Sequence, residues 1–185
     1  ILATEMLDSN GFDMVFSGIN EGANLGMDIL ASGTVGAALQ GYLRGIPSVA
    51  ISLTALTDLR LEIASIVAGS IAKTVAHRES MHERPIFLNI NVPNIDATEL
   101  KSVELTSLGP RVWGETVESN HNGNHDTFWI RQNLPMNKSA SQGTDVWAVS
   151  DKRISITAMN GSLSSIEGPE VVTVIASDIS AILNM

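Results

Sequence analysis

The stretch FDMVFSGINEGANLGMDILASGT, from Phe12 to Thr34, decides the fold. Met14, Val15 and Phe16 read as a short apolar strand that runs into a turn of small residues and side-chain oxygens. The turn carries Ser17, Gly18, Asn20, Glu21, Gly22, Asn24, Gly26 and Asp28, with Ser32, Gly33 and Thr34 just beyond. A helix over Val35–Arg44 follows, capped by Ser32 or Thr34 and stopped at Gly45. In open α/β sheets ligands bind beyond the carboxyl ends of the strands, where helix N-termini offer unpaired N–H groups to anions. Chemistry is therefore expected at this turn, with a phosphate and a hard cation as the ligand class. On the residues alone a plainer reading also stands, in which Gly, Asn and Ser form a common turn and Ser or Thr only caps a helix.

Outward from this stretch the pattern repeats. Ser48–Leu53 (SVAISL) is a short buried strand, and Asp58 is expected to cap a helix whose apolar residues are Leu59, Ile63, Ile66, Val67, Ile71 and Val75. Arg84-Pro85 breaks the chain before a second buried strand, Ile86–Val92 (IFLNINV), which Pro93 ends. Strand–helix–strand alternation of this kind predicts a parallel sheet with right-handed crossovers. After about residue 108 the character changes. Val112–Ser119 and Thr127–Arg131 flank an Asn122-Gly123 turn signal and read as an extended hairpin. Residues 133–143 read as a loop, Arg153–Met159 as a strand, and Pro169 as the opening of a last helix.

A net charge of −9 excludes a basic nucleic-acid groove, yet one phosphate can still be held by backbone amides and a metal. The absence of cysteine removes disulfides, thiolate nucleophiles and zinc–thiolate sites, and suits a cytoplasmic protein. No apolar run reaches the ~18 residues of a membrane span, and no signal peptide is read before the first strand. The chain opens on Ile1, Leu2, Met6 and Leu7 at helical spacing without an initiator Met, as a protein entered in the middle would.

Competing motifs fail. There is no P-loop and no G-x-S-x-G elbow, and Gly18, Gly22 and Gly26 are not spaced as G-x-G-x-x-G. His121 and His125 straddle the hairpin turn and read as solvated rather than as metal ligands, while His77 and His82 sit at a helix end. Trp113 and Trp129 read as a cross-strand pair or an interface. Ser17, Asn20 and Asn24 offer neutral oxygens that suit Mg²⁺, Mn²⁺ or Ca²⁺, but an Asn carbonyl alone holds no cation without carboxylates beside it.

Ser17-Gly18-Ile19-Asn20, Gly22-Ala23-Asn24-Leu25-Gly26 and Ser32-Gly33-Thr34-Val35-Gly36-Ala37-Ala38 resemble the signature of the SurE family of metal-dependent 5′-nucleotidases. Gly45-Ile46-Pro47 with Ala50-Ile51-Ser52-Leu53, Leu88–Pro93, Gly143-Thr144-Asp145 with Ala148-Val149, and Ile154–Thr157 agree in the same order. The resemblance implies a Rossmann-like, SurE-like α/β fold with a three-layer parallel sheet core, truncated at the N-terminus, with an extended β-hairpin arm and a C-terminal helix. Residues 1–108 would be the core, 109–143 an oligomerisation arm making a homodimer or homotetramer, and 144–185 a return strand and helix. It implies Asn20 as a metal ligand, Ser32, Gly33 and Thr34 as the phosphate loop, and Asn24 as a substrate contact. Asp28, Thr144 and Asp145 are accessory candidates. The implied activity is hydrolysis of nucleoside monophosphates, and in some members polyphosphate, with Mn²⁺ or Mg²⁺; nucleic acid and membrane are not expected as partners.

One departure is large. Family members start with a strand ending in two adjacent aspartates that complete the metal site, and this sequence has no Asp-Asp pair. Two expectations follow. The chain is a piece of a working metal phosphatase, or it is a non-catalytic SurE-like protein that binds a phosphorylated ligand or only oligomerises. With the opening strands gone, a bare sheet edge would leave the isolated chain poorly soluble or oligomeric.

Overall fold

A computed structural model describes residues 11–76, 85–112, 114–122, 125–133 and 140–161, together with Met6. The strands are β1 (Val15–Glu21), β2 (Ser48–Leu53), β3 (Phe87–Val92), β4 (Val103–Thr106), β5 (Gly114–Asn122), β6 (His125–Asn133) and β7 (Ile154–Ala158). The helices are α1 (Gly33–Tyr42), α2 (Leu61–Ala76) and α3 (Asp145–Ser150), and short 3-10 turns cover Gly26–Ala31 and Ala97–Glu99. Five strands form one sheet in the order β1-β2-β3-β7-β4, and β5 pairs with β6 as a separate hairpin.

β1, β2 and β3 run parallel, as the alternation of strands and helices predicts. β7 is antiparallel to β3 and parallel to β4, so the sheet is mixed rather than wholly parallel. The reversal arises in the connection 93–102. A parallel return needs a crossover of a dozen or more residues, and this stretch carries only the Ala97–Glu99 turn, so β4 starts at the end where β3 stopped. The return strand β7 then enters the middle of the sheet, between β3 and β4.

Side chains alternate across a strand, and here the two faces differ in chemistry. One face carries Val49, Ile51, Leu53, Ile90, Val92 and Ile154, packed with Ala64 of α2. Leu59, Ile63, Val67 and Ile71 line that contact and Val75 is buried, but Ile66 is 71% exposed. The predicted apolar stripe is therefore narrower by one residue, because Ile66 lies about 100° round the helix from Val67. On the opposite face Ala50 and Phe87 pack with Ile29, Val35 and Ala38, and Tyr42 stacks on Phe87 at 5.4 Å. That second face also buries Ser52, Asn89, Asn91, Ser155 and Thr157.

Several boundaries differ from the sequence reading, among them α1, expected over Val35–Arg44 and observed over Gly33–Tyr42. β1 does not stop at Phe16 but continues to Glu21, because its pairing with β2 resumes at Asn20 after a register shift beyond Ser17. Asp58 does not cap α2: its φ is +51°, and Asn94 reaches across, its Oδ1 accepting from the Arg60 N–H at 2.9 Å while its Nδ2 donates to the Asp58 carbonyl. Residues within 133–143 that are described close with the Thr144 cap of α3, a helix the sequence does not announce.

The hairpin is present and longer than predicted. Trp129 stands opposite Glu118 rather than opposite Trp113, and His121 pairs with Asp126 across the strands. Val117, Phe128 and Trp129 are exposed. The predicted opening helix apart from Met6, the positions His77, His82 and Trp113, the hairpin tip at 123–124, and the last helix from Pro169 lie outside the described residues.

Gly18 sits at φ +126°, and a Cβ there would lie 2.2 Å from the Ile51 carbonyl oxygen. Gly18→Ala is therefore expected to cost about 1–3 kcal/mol in backbone strain before any clash is relieved, read as a lower urea midpoint at unchanged slope.

Candidate functional site

Beyond the carboxyl ends of β1, β2 and β3 lies a cleft of about 230 Å³ whose wall includes Asn20, Glu21, Asn24, Asp28, Ser32 and Arg111. This is the position that parallel α/β geometry nominates. Asn20 closes β1, its Nδ2 donating to the Gly22 carbonyl at 2.8 Å and to the Glu21 carbonyl at 3.2 Å. Ser32 caps α1 as predicted, its Oγ accepting from the Val35 N–H at 3.2 Å. Gly33 and Thr34 are the first two residues of α1, where helical N–H groups have no intrahelical partner. A Cβ at Gly33 would meet nothing within 4 Å, so the helix end is open on that side.

Asn24 is held from below. Its backbone N–H donates to Asn91 Oδ1 at 2.8 Å, and its Nδ2 donates to Ser52 Oγ at 2.7 Å. The amides of Asn89 and Asn91 both donate to the Asn24 carbonyl, at 2.9 and 2.8 Å. Ser52, Asn89 and Asn91 are fully buried, so the floor of the cleft is a polar patch of the sheet bonded to the loop above it. The sequence reading passed over these three residues. The signal was there: two Asn two apart in a buried strand share one face, and buried amides need partners.

Asp28 is engaged at both oxygens. Arg111 Nε donates to Oδ1 at 3.0 Å, and the Val112 N–H donates to Oδ2 at 2.9 Å. Arg111 was also passed over, since its place beside residues some eighty positions earlier depends wholly on tertiary folding. Thr144 and Asp145 do not line the cleft. Thr144 Oγ1 accepts from the Trp147 N–H and donates to the Ser141 carbonyl, which makes it the cap of α3. Asp145 lies fully buried beneath, accepting the N–H groups of Gly26 and Gly109, each at 2.7 Å, and its neighbour Val146 at 2.8 Å. Among the described residues, no three of His, Cys, Asp or Glu gather as a cation site. A larger groove of about 410 Å³ is bordered by Arg60, Glu62 and Asp96, with Arg60 paired to Asp96.

Fold and site together define an α/β protein with an oxygen-rich cleft at the switch from strand to helix. The family model described as "Survival protein SurE" matches residues 1–115, and the chain belongs to the SurE family. A protein of Dehalococcoides mccartyi strain CBDB1 named "5′-nucleotidase SurE" is 38% identical over 88% of this chain and 61% of its own length. A protein of the same name from Nitrosomonas europaea is 38% identical over 89% of this chain and 65% of its own. The crystal structure of a SurE protein from Aquifex aeolicus superposes with a TM-score of 0.71 at 30% identity, covering 98% of this chain and 70% of that one. The chain thus spans about three fifths of the length of the curated relatives it matches. No helix among the described residues is long and apolar enough to cross a membrane.

Burial pushes the Asp145 carboxyl above the ordinary aspartate range, against the Gly26, Gly109 and Val146 N–H groups that pull it down. The folded state then holds this proton more tightly than the unfolded state. The residue's contribution to stability is full below the unfolded value of about 3.9 and falls as pH rises through the folded one. In Asp145→Asn an amide NH₂ opposes an N–H, with an expected loss of about 1–3 kcal/mol. The gap to wild type, measured by urea melts, should narrow as pH rises through that interval.

Proposed function

We propose that this chain forms the phosphate-holding part of an enzyme that hydrolyses nucleoside 5′-monophosphates. The observation behind the reading is the cleft that joins Asn20, Asn24, Ser32 and Arg111 at the start of α1, where neutral donors, helix N–H groups and a guanidinium converge. The names of the relatives, "5′-nucleotidase SurE", point the same way. In such a reaction water attacks phosphorus, the ester P–O bond breaks, and the nucleoside oxygen leaves as a hydroxyl after taking up a proton. Ser32 Oγ and the N–H groups of Gly33 and Thr34 are suited to hold the phosphate oxygens as negative charge builds on them. Asn24, fixed by Ser52, Asn89 and Asn91, would orient the ester without moving.

A divalent cation, Mn²⁺ or Mg²⁺ by resemblance to the family, would polarise the phosphoryl group and activate the water. The described residues do not complete a site for it. Asn20 contributes one amide oxygen, and the Asp28 carboxylate is already bonded to Arg111 and Val112. What this chain supplies to the reaction is therefore the phosphate side. The exposed Val117, Phe128 and Trp129 of the hairpin are the surface through which a homodimer or homotetramer would form.

Phosphate release from a panel of nucleoside monophosphates, with Mn²⁺, Mg²⁺ or EDTA, tests the activity, with Asn20→Ala as the control. Metal-dependent turnover lost in Asn20→Ala supports the reading. A folded chain that neither releases phosphate nor binds inorganic phosphate overturns it. Gly33→Ala separates site from fold. Stability should stay within about 1 kcal/mol because the added methyl meets nothing, while inorganic phosphate should bind several-fold more weakly.

A further inference from the structure

Arg111 is the cation among the described residues that line the cleft, in a chain of net charge −9 whose cleft wall also carries Glu21 and Asp28. A phosphate dianion approaching so acidic a surface needs a local positive charge to settle against. The mounting of Arg111 is unusual for an exposed arginine. Asp28 grips the same segment twice, accepting Arg111 Nε–H on one oxygen and the Val112 N–H on the other. Two residues earlier, the Gly109 N–H is held by the buried Asp145 carboxylate. The Pro110 carbonyl sits so close to Gly26 that a Cβ there would lie 2.1 Å from it. The segment is thus pinned to the floor of the site at Gly109, Pro110 and Val112, while the arginine side chain itself stays 60% exposed at the mouth of the cleft.

With 60% of its side chain exposed at the cleft, Arg111 can meet an anion there while Asp28 holds it. A carboxylate that takes Nε–H fixes the plane of the guanidinium, and the rigid fork then meets phosphate oxygens without further ordering. We propose that Arg111 is a phosphate-binding residue, oriented by Asp28, which completes with Ser32 the donor set that receives the phosphate of the ester. This rests on the reading of the cleft as a phosphate site.

The test is calorimetric titration of inorganic phosphate into the full chain, comparing wild type with Arg111→Gln, Arg111→Lys and Ser32→Ala, each accompanied by a thermal melt. Phosphate affinity is expected to fall at least tenfold in Arg111→Gln and by a smaller factor in Arg111→Lys, which keeps the charge and loses the fork. Melting of both variants should stay close to wild type. Should Arg111→Gln bind phosphate as wild type does while Ser32→Ala weakens it, the cleft is a phosphate site and Arg111 is only a strut. Should wild type itself bind no phosphate, the reading of the cleft fails and this proposal with it. If Arg111→Gln does not fold, Arg111→Lys decides, and phosphate binding equal to wild type there overturns the proposal.

Discussion

The buried carboxylate of Asp145 is the interaction on which the site depends. It accepts N–H groups from Gly26, Gly109 and its own successor Val146, and so ties together three segments far apart in sequence. Each of those segments carries part of the cleft or its support. Gly26 opens the turn that bears Asp28 and leads to Ser32, Gly109 precedes Arg111, and Val146 lies in the first turn of α3. The approach is close enough to exclude side chains: a Cβ on Gly109 would fall 2.7 Å from Val146, and one on Gly26 would strike the Pro110 carbonyl. A charge so deeply buried is costly unless fully bonded, and three N–H donors are what makes it tolerable.

Above that knot the sheet divides its labour by face. The face under α2 is apolar and supplies burial, with Val49, Ile51, Leu53, Ile90, Val92 and Ile154 at its centre. The other face carries Ser52, Asn89 and Asn91, whose polar atoms meet Asn24 in the loop above. Hydrophobic contact is non-directional and leaves a loop free to slide, whereas hydrogen bonds from buried amides to its backbone fix one position. The loop at the end of β1 is therefore held by directional bonds at the cleft. The fold is stabilised from the other side.

Shared membership of the SurE family and a 0.71 superposition on the Aquifex aeolicus protein place this architecture among known folds. The proposed phosphate site rests on the neutral hydroxyl and amide groups, the helix N-terminus and the one guanidinium that meet at the cleft. Helix N–H groups and small residues lower the positive charge that anion recognition requires, and Arg111 is proposed to supply the remainder.

The sequence by itself determined the strand–turn–helix unit, the limits of β2, the Ser32 cap and the hairpin, because each is written in local periodicity or in one residue's conformational preference. It also nominated Asn20, Asn24 and Ser32, which the fold brings to one cleft. Tertiary structure alone decided the rest. The extension of β1 to Glu21 depends on pairing with β2, the closing of the chain before α2 on Asn94 from another loop, and the reversed direction of β4, which β7 shares, on the short 93–102 connection. Asp28, read as an accessory candidate, is drawn to Arg111, and Asp145 goes under the floor as a structural acceptor. Periodicity reports which face a residue takes along its own element. It carries no information on which distant backbone N–H or guanidinium will arrive at that face, and in this protein those arrivals build the site.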